Sequence, residues 1–144
     1  MSQFPHQYQA SASAQPEGLV SLNGENLPEL HSAPPTEFGG PGDQWSPEDL
    51  LVGAVADCFV LAFKAIAAAS KYEWIDLKAE ASGTLDKVER AVQFTGISLH
   101  AHLTVPAEAD ESRAQRLLDK AKQTCFITNS LKAETSLETS ITKA

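Results

Sequence analysis

The chain has 144 residues, of which 42% are hydrophobic and 21% charged, and these proportions are typical of a globular protein with a buried core. Its formal net charge of -8 argues against nucleic acid or an anionic membrane as a partner, because both require a basic surface. Two cysteines are too few for a disulfide framework, and the polar opening MSQFPHQYQA is unlike a signal peptide, so we expect a cytoplasmic protein.

The first 45 residues predict short strands followed by an irregular loop. The segments 7–14, 17–23 and 27–32 are short and weakly apolar, and NGEN at the end of the second is typical of a turn. The next run, SAPPTEFGGPGDQ, is so rich in proline and glycine that we expect no regular structure in it. We assign residues 1–45 to the N-terminal part of a single domain that spans residues 1–144.

Residues 46–70 predict one long helix. Ser46 is a typical N-cap, Pro47 suits the first helical position, and Asp49 completes an acidic capping pattern three residues after the cap. Residues 50–69 are apolar apart from two charges seven positions apart, and this length approaches that of a membrane span. Because the two charges share one helix face and make insertion costly, we expect a buried central helix instead.

The remainder of the chain, residues 73–144, predicts strands around a second helix. We expect, in order, strands at 73–88 and 91–105, a helix at 107–125 that carries Cys125 at its end, and a strand at 131–144. The apolar phase of the second of these strands slips at Gly96, which indicates a β-bulge. This order of elements predicts an α+β fold in which an antiparallel sheet packs on the helices.

Cys58 lies in the middle of the long helix, on the face that also carries Leu51, Val55 and Ala62. Free cysteine is among the most buried residue types, so the helix alone leaves Cys58 equally compatible with core packing and with thiol chemistry. Cys125 favours chemistry, because two cysteines on helical elements of one small core can meet. The sequence leaves open whether they do.

Other candidate residues have a structural interpretation beside the functional one. Glu48 lies in the first turn of its helix, where a carboxylate also stabilises the helix dipole. His100 and His102 have a spacing that can hold a metal, but no third ligand is close in sequence, so we expect no metal. Phe38 and Trp45 flank the glycine-rich run, where they fit a pocket cover or a loop anchor equally well.

The run PPTEFGGPGDQWSPEDLLVGAVADCFV, followed later by CFITNSL, resembles the OsmC/Ohr family of thiol-dependent hydroperoxide reductases. The resemblance covers most of the chain and is specific in the central helix. It implies an OsmC-like fold, with antiparallel sheets around a long central helix, and an intertwined homodimer with two active sites at the interface. It also implies a peroxidatic role for Cys58, a resolving role for Cys125 and an orienting role for Glu48, without cofactor or metal.

By this resemblance the chain is an enzyme of the oxidative stress response, a cysteine-based peroxidase. A thiolate at Cys58 attacks the distal peroxide oxygen and becomes a sulfenic acid, and Cys125 condenses with it to a disulfide. A dithiol reductant, of the lipoyl type in the Ohr branch, then restores both thiols. The apolar helix face around Cys58 suits organic hydroperoxides better than hydrogen peroxide.

Three positions depart from the family pattern. The N-terminal stretch ASAQPEGLV lacks the arginine that holds the family's cysteine as a thiolate, and the first arginine of the chain is Arg90. Asp57 adds negative charge next to Cys58, and Phe126 stands where proline is usual after Cys125. We therefore expect a divergent member. The alternatives are a non-peroxidase that binds a small apolar ligand at the dimer interface, and a structural dimer whose cysteines only pack.

Overall fold

The computed structural model describes residues 3–144, so Met1 and Ser2 of the polar opening lie outside the described range. Two sheets and three α-helices make the fold α+β, as the order of elements predicted. The chain divides into two compact units, residues 1–50 and 51–144, which are described one after the other. The assignment of a single domain stays a prediction.

The first unit contains a three-stranded antiparallel sheet in the order β1–β2–β3. Its strands are β1 (Ser11–Ser13), β2 (Val20–Asn23) and β3 (Leu30–Ser32). They are shorter than the predicted segments because the flanking residues are weakly apolar and lie exposed. The loop expected to have no regular structure contains a 3₁₀ helix, Thr36–Phe38, which ends at Gly39 with a φ of 91° that suits glycine.

The long helix α1 (Pro47–Ala69) begins where the sequence predicted. The Asp49 N–H donates to Ser46 Oγ at 3.0 Å, and the Ser46 N–H donates to Asp49 Oδ2 at 3.1 Å. This reciprocal cap satisfies two backbone donors at the start of the helix, and such caps stabilise a helix by about 1 kcal/mol. Ser46 is fully buried, so the cap fixes the position at which the helix begins.

One stripe of α1 is fully buried, and its residues are spaced four apart. They are Val55, Phe59, Phe63 and Ala67, each 0% exposed. Cys58 lies beside this stripe and is only partly buried, although the sequence placed it on the inward face with Val55. The two phenylalanines determine which face of α1 points inward, because they are the largest side chains that are fully buried in the core.

The second sheet has the order β4–β5–β6. Its strands are β4 (Asp76–Val88), β5 (Ala91–Val105) and β6 (Glu134–Lys143). β4 and β5 are antiparallel, and their register shifts where Gly96 faces Thr84 while Phe94 faces Leu85. The intervening residue of β5 therefore has no partner, which confirms the bulge predicted at the phase slip.

β6 pairs with β5 in parallel, so this sheet is mixed and not antiparallel as expected. The reason is the connection, because a helix between β5 and β6 carries the chain back to the same end of the sheet. The inward residues of β5 are fully or nearly fully buried and face the helices. They are Ile97, Leu99, Ala101, Leu103 and Val105.

The second helix, α2 (Glu111–Gln123), buries four apolar residues that share one face, which are Ala114, Leu117, Leu118 and Ala121. It ends before Cys125, and this corrects the prediction that the helix carries that cysteine. The backbone of Cys125 is extended, with a φ of -70° and a ψ of 115°, so it interrupts the helix. A further one-turn helix, α3 (Phe126–Asn129), follows it.

Candidate functional site

The second unit brings the two cysteines together. Cys58 lies in the middle of α1 and is partly exposed, whereas Cys125 precedes α3 and is 0% exposed. Both are free thiols, and each side chain is among the groups that shift the pKa of the other, so the two residues are neighbours. The meeting that the sequence left open therefore occurs within a single chain, across 66 intervening residues.

Local hydrogen bonds hold the turn that carries Cys125. The Asn129 N–H donates to the Cys125 carbonyl oxygen at 3.1 Å, and Thr128 Oγ1 lies 3.3 Å from the same oxygen. Ser130 Oγ donates to the Phe126 carbonyl oxygen at 2.8 Å. The polar run TNS after the cysteine thus closes a single helical turn, because short hydroxyl and amide side chains compete well for backbone groups.

The surroundings of the two cysteines shift their pKa values in opposite directions. Burial raises the pKa of the Cys58 thiol, and the hydrogen bond and charge of Cys125 raise it further, although the N–H groups of Ile127 and Phe126 act in the opposite direction. Burial alone would also raise the pKa of Cys125. The hydroxyl and N–H group of Thr128, the Cys58 side chain and the Ile127 N–H group together outweigh that effect and hold the pKa of Cys125 below its ordinary value.

No cation is among the groups that act most strongly on Cys58 within the described residues. Lys64, the cationic residue of α1 nearest in sequence to Cys58, is exposed, as is Asp57. The thiol pair is therefore polarised by backbone N–H groups, a hydroxyl and the partner sulfur. Sequence reasoning missed Ile127 and Thr128, and the polar run after Cys125 was the one signal that could have indicated them.

Glu48, the third predicted site residue, lies in the first turn of α1 within the first unit. Its Oε1 atom is buried and has no hydrogen-bond partner in residues 3–144. A buried carboxylate oxygen without a donor costs free energy, so capping alone does not account for the position of this side chain. Its orienting role stays a prediction.

Phe38 and Trp45 are largely exposed in the first unit, at 61% and 53%. Neither side chain is a buried anchor, although the backbone of Trp45 is fixed by a 2.9 Å hydrogen bond from the Ala33 N–H to its carbonyl oxygen. A role in covering a ligand stays a prediction.

The polar face of the second sheet holds the histidine pair. The rings of His100 and His102 stack with centroids 4.4 Å apart, and His102 Nε2 lies 2.9 Å from Glu80 Oε1 while its Nδ1 lies 2.8 Å from Ser140 Oγ. The hydrogen bond from His102 lowers the pKa of Glu80. Across the described part of the chain, no group of three acidic, histidine or cysteine side chains is arranged to hold a metal ion.

Apolar surface lies exposed close in sequence to both cysteines. Leu61 on α1 is 56% exposed, and Phe126, directly after Cys125, is 75% exposed. In residues 3–144, one helix, α1, is long and apolar enough to cross a bilayer by length and composition, a test that core helices of soluble proteins also pass. A cavity of about 420 Å³ on the second unit opens on the polar sheet face, away from both cysteines.

Comparison with protein families gives one match. Residues 40–140 match the OsmC-like protein family, and this region includes Glu48, Cys58 and Cys125. It covers most of the chain, from the glycine-rich run into β6.

Three individual proteins are similar to this chain at modest sequence identity. An uncharacterised protein, YmaD of Bacillus subtilis, is 28% identical over 107 residues, which are 72% of this chain and 71% of YmaD. Peroxiredoxin OsmC of Escherichia coli is 31% identical over 93 residues, 65% of this chain and 64% of that protein. An organic hydroperoxide resistance protein of Xanthomonas axonopodis is 35% identical over 99 residues, 66% of each chain. The last two matches span slightly less than two thirds of each relative.

Solved structures show the same fold. An OsmC-like protein of unknown function from Vibrio cholerae superposes with a TM-score of 0.86 at 17% identity, covering 94% of this chain and 100% of that chain. An organic hydroperoxide resistance protein from Legionella pneumophila superposes with a TM-score of 0.75 at 26% identity, covering 97% of this chain and 99% of that chain.

Proposed function

The chain belongs to the OsmC-like protein family, and on this basis we propose that it reduces organic hydroperoxides with Cys58 and Cys125. The observation that carries the proposal is the proximity of these two free thiols, each of which shifts the pKa of the other. Relatives named peroxiredoxin and organic hydroperoxide resistance protein support the reaction class. In a cytoplasmic setting, which we also propose, a dithiol reductant of the lipoyl type would return both thiols to the reduced state.

The two cysteines take different roles because their exposure differs. Cys58 is partly exposed and can meet a peroxide, so its thiolate would attack the distal oxygen and release an alcohol. Cys125 is 0% exposed but lies beside Cys58, so it would condense with the sulfenic acid and release water. The resulting disulfide protects Cys58 from further oxidation.

We further propose that a second copy of the chain covers the exposed apolar surface of α1. Leu61 is 56% exposed on a helix that is apolar around most of its circumference, and a soluble chain rarely leaves such a surface in water. Light scattering would give the mass of a dimer.

A second candidate function has its own support. The pKa of Cys58 is raised, and none of the groups acting most strongly on it in the described residues is a cation. A thiol that is mainly protonated at neutral pH reacts slowly with peroxides, because the thiolate is the nucleophile. The candidate is therefore a non-peroxidase that binds a small apolar ligand at the dimer interface.

Stopped-flow consumption of cumene hydroperoxide separates the two functions. The wild type is compared with Cys58→Ser and Cys125→Ser, and the products are examined by mass spectrometry. A peroxidase loses the first oxidation step only in Cys58→Ser and forms a Cys58–Cys125 disulfide in the wild type. Equal, near-background rates in all three proteins would reject the peroxidase. Saturable binding of cumyl alcohol to the same three proteins would then favour the ligand-binding function.

A further inference from the structure

We propose that the reductant attacks the Cys58–Cys125 disulfide at the Cys58 sulfur and expels Cys125, so that the intermediate of the reducing step is a mixed disulfide on Cys58. This inference rests on the proposed function, since it assigns the direction of its second half-reaction. The carrying observations are the unequal exposure of the two sulfurs and the hydrogen-bond donors around Cys125.

Access decides which sulfur is attacked. An attacking thiolate must approach along the line of the S–S bond, from the side opposite the leaving sulfur. Cys125 is 0% exposed and directly precedes α3, whereas Cys58 is partly exposed on the border of the buried stripe of α1. Within the single chain, a reductant can therefore reach Cys58 without opening the fold, whereas reaching Cys125 would require local unfolding.

The leaving sulfur is stabilised by groups already in place. The Thr128 hydroxyl lies 3.3 Å from the Cys125 carbonyl oxygen, and this hydroxyl and the N–H groups of Thr128 and Ile127 lower the pKa of the Cys125 thiol. A thiolate that accepts hydrogen bonds leaves faster, because the negative charge that develops on it is stabilised. The same donors favour the charged form of Cys125. They therefore favour its departure as a thiolate over an attack on its sulfur by the reductant.

The step balances as a thiol–disulfide exchange. The reductant thiolate donates an electron pair to Cys58 Sγ, the S–S bond breaks, and Cys125 leaves as a thiolate that stays hydrogen bonded to Thr128. The second thiol of the dithiol reductant, as a thiolate, attacks the reductant's own sulfur in the mixed disulfide. That attack oxidises the reductant to a disulfide by two electrons and releases Cys58, and each cysteine takes up a proton as its pKa requires.

Trapping the intermediate tests the direction of attack. The full-length protein is oxidised with diamide, treated briefly with glutathione, quenched in acid, alkylated with N-ethylmaleimide and mapped by mass spectrometry. Glutathione is chosen because a monothiol does not resolve its own mixed disulfide. Trypsin isolates Cys125 in the peptide 123–132, so the two positions are distinguished directly. We expect glutathione on Cys58 and N-ethylmaleimide on Cys125.

A mixed disulfide on Cys125, or an equal distribution over both cysteines, would overturn the inference. This outcome is separate from the fate of the proposed function, because diamide forms the disulfide without a peroxide. A protein that forms the disulfide with diamide but not with cumene hydroperoxide loses the peroxidase function alone. A protein that forms no disulfide with either oxidant loses both.

Thr128 has a positioning role in this step, and a matched pair of variants tests it. Thr128→Val removes the hydroxyl that faces Cys125, whereas Ser130→Ala removes a hydroxyl of the same turn that is bonded to the Phe126 carbonyl oxygen. We expect Thr128→Val to slow reduction by dihydrolipoic acid about three- to tenfold, since half of a charge-assisted hydrogen bond is lost in the transition state. Ser130→Ala should reduce at the wild-type rate.

A purely structural role for Thr128 would leave the chemistry of Cys125 unchanged. The second measurement is therefore the pH profile of Cys125 alkylation in a Cys58→Ser background. Thr128→Val should move that profile to higher pH, and Ser130→Ala should not move it. Identical profiles and identical reduction rates in both variants would remove Thr128 from the proposal.

Discussion

The two long helices meet the same sheet in different ways. α2 buries four inward residues and presents charged residues outward, so its apolar face is covered within a single chain. α1 also buries four residues, but its other faces are largely apolar, and Leu61 stays 56% exposed. Residues of its own chain therefore cover only part of the apolar surface of α1.

This difference explains where the site lies. An amphipathic helix such as α2 needs to bury only one face, whereas a helix that is apolar on most sides needs a second surface to bury the remainder. Cys58 lies on the border between the buried and the exposed side of α1. In the single chain it therefore neighbours buried Cys125 on one side and is accessible on the other.

The largest expected effects come from removing a core side chain from either helix. Phe63 is 0% exposed and meets the edge of the Trp74 ring with centroids 5.4 Å apart, and Leu118 of α2 is also 0% exposed. We expect Phe63→Ala to lower the free energy of unfolding by about 3–5 kcal/mol and Leu118→Ala by about 2–5 kcal/mol. Urea denaturation followed by circular dichroism measures both.

We expect Leu117→Ala to lower the free energy of unfolding less than Leu118→Ala does, because Leu117 keeps 8% of its surface exposed. If Phe63→Ala cost less than 1 kcal/mol while Leu118→Ala cost the full amount, the inward stripe of α1 would not be part of the core.

The second prediction separates the helices by their outward faces. Leu61→Gln on α1 should weaken the proposed dimer by about 2–3 kcal/mol, because each of two copies loses apolar surface that is about half exposed in the single chain. Lys120→Gln on the exposed face of α2 should leave the dimer unchanged. Concentration-dependent light scattering or sedimentation gives the dissociation constants. Equal constants for the two variants would place the dimer interface elsewhere.

The sequence predicted the features that depend on local patterns. The start of α1 followed from Ser46 and Asp49, the bulge from the phase slip at Gly96, and the inward face of α2 from its apolar spacing. Each is set by residues within a few positions of one another, and so periodicity and capping rules suffice.

The features that the sequence did not predict depend on distant contacts. Parallel pairing of β6 with β5 follows from the path of the chain through α2, and no residue of β6 encodes it alone. The one-turn helix after Cys125 is too short for a periodic signal. The meeting of Cys58 and Cys125 could only be a hypothesis, because it joins two elements far apart in the chain.

The third prediction concerns the junction of the two helices. The Arg113 guanidinium of α2 donates to the Ser70 carbonyl oxygen at the end of α1 and lies 5.3 Å from the centre of the Tyr72 ring, while Tyr72 Oη donates to the Asp110 carbonyl oxygen at 3.1 Å. Arg113→Ala should lower the free energy of unfolding by about 1–2 kcal/mol, since a charge-assisted hydrogen bond and a cation–π contact are lost.

Arg116→Ala is the matched control for that variant, because Arg116 lies on the same helix and its side chain is exposed. Its free energy of unfolding should stay within about 0.5 kcal/mol of the wild type. Similar losses in the two arginine variants would mean that helix propensity or net charge, and not the contact with α1, sets the effect.

The smallest expected effect is a shift in the titration of Cys58. Burial raises the pKa of this thiol first, and the hydrogen bond and charge of Cys125 raise it further. Cys125→Ser removes the second influence, since serine stays neutral and can donate to a thiolate, so the pKa of Cys58 should fall. The rate of iodoacetamide alkylation, measured against pH, should then rise at lower pH than in the wild type.

The wild-type comparison is confined to the fraction alkylated at Cys58, which peptide mapping separates from Cys125. In Cys58→Ser, the pKa of the remaining Cys125 should stay below the ordinary value of a thiol, because the Thr128 donors stay in place. The two single variants should therefore keep the order of the pair, with Cys125 the more acidic thiol. A Cys58 profile that moved to higher pH in Cys125→Ser would show that the sulfur of Cys125 stabilises the Cys58 thiolate, and α1 would then hold its nucleophile with help from the α3 side of the site.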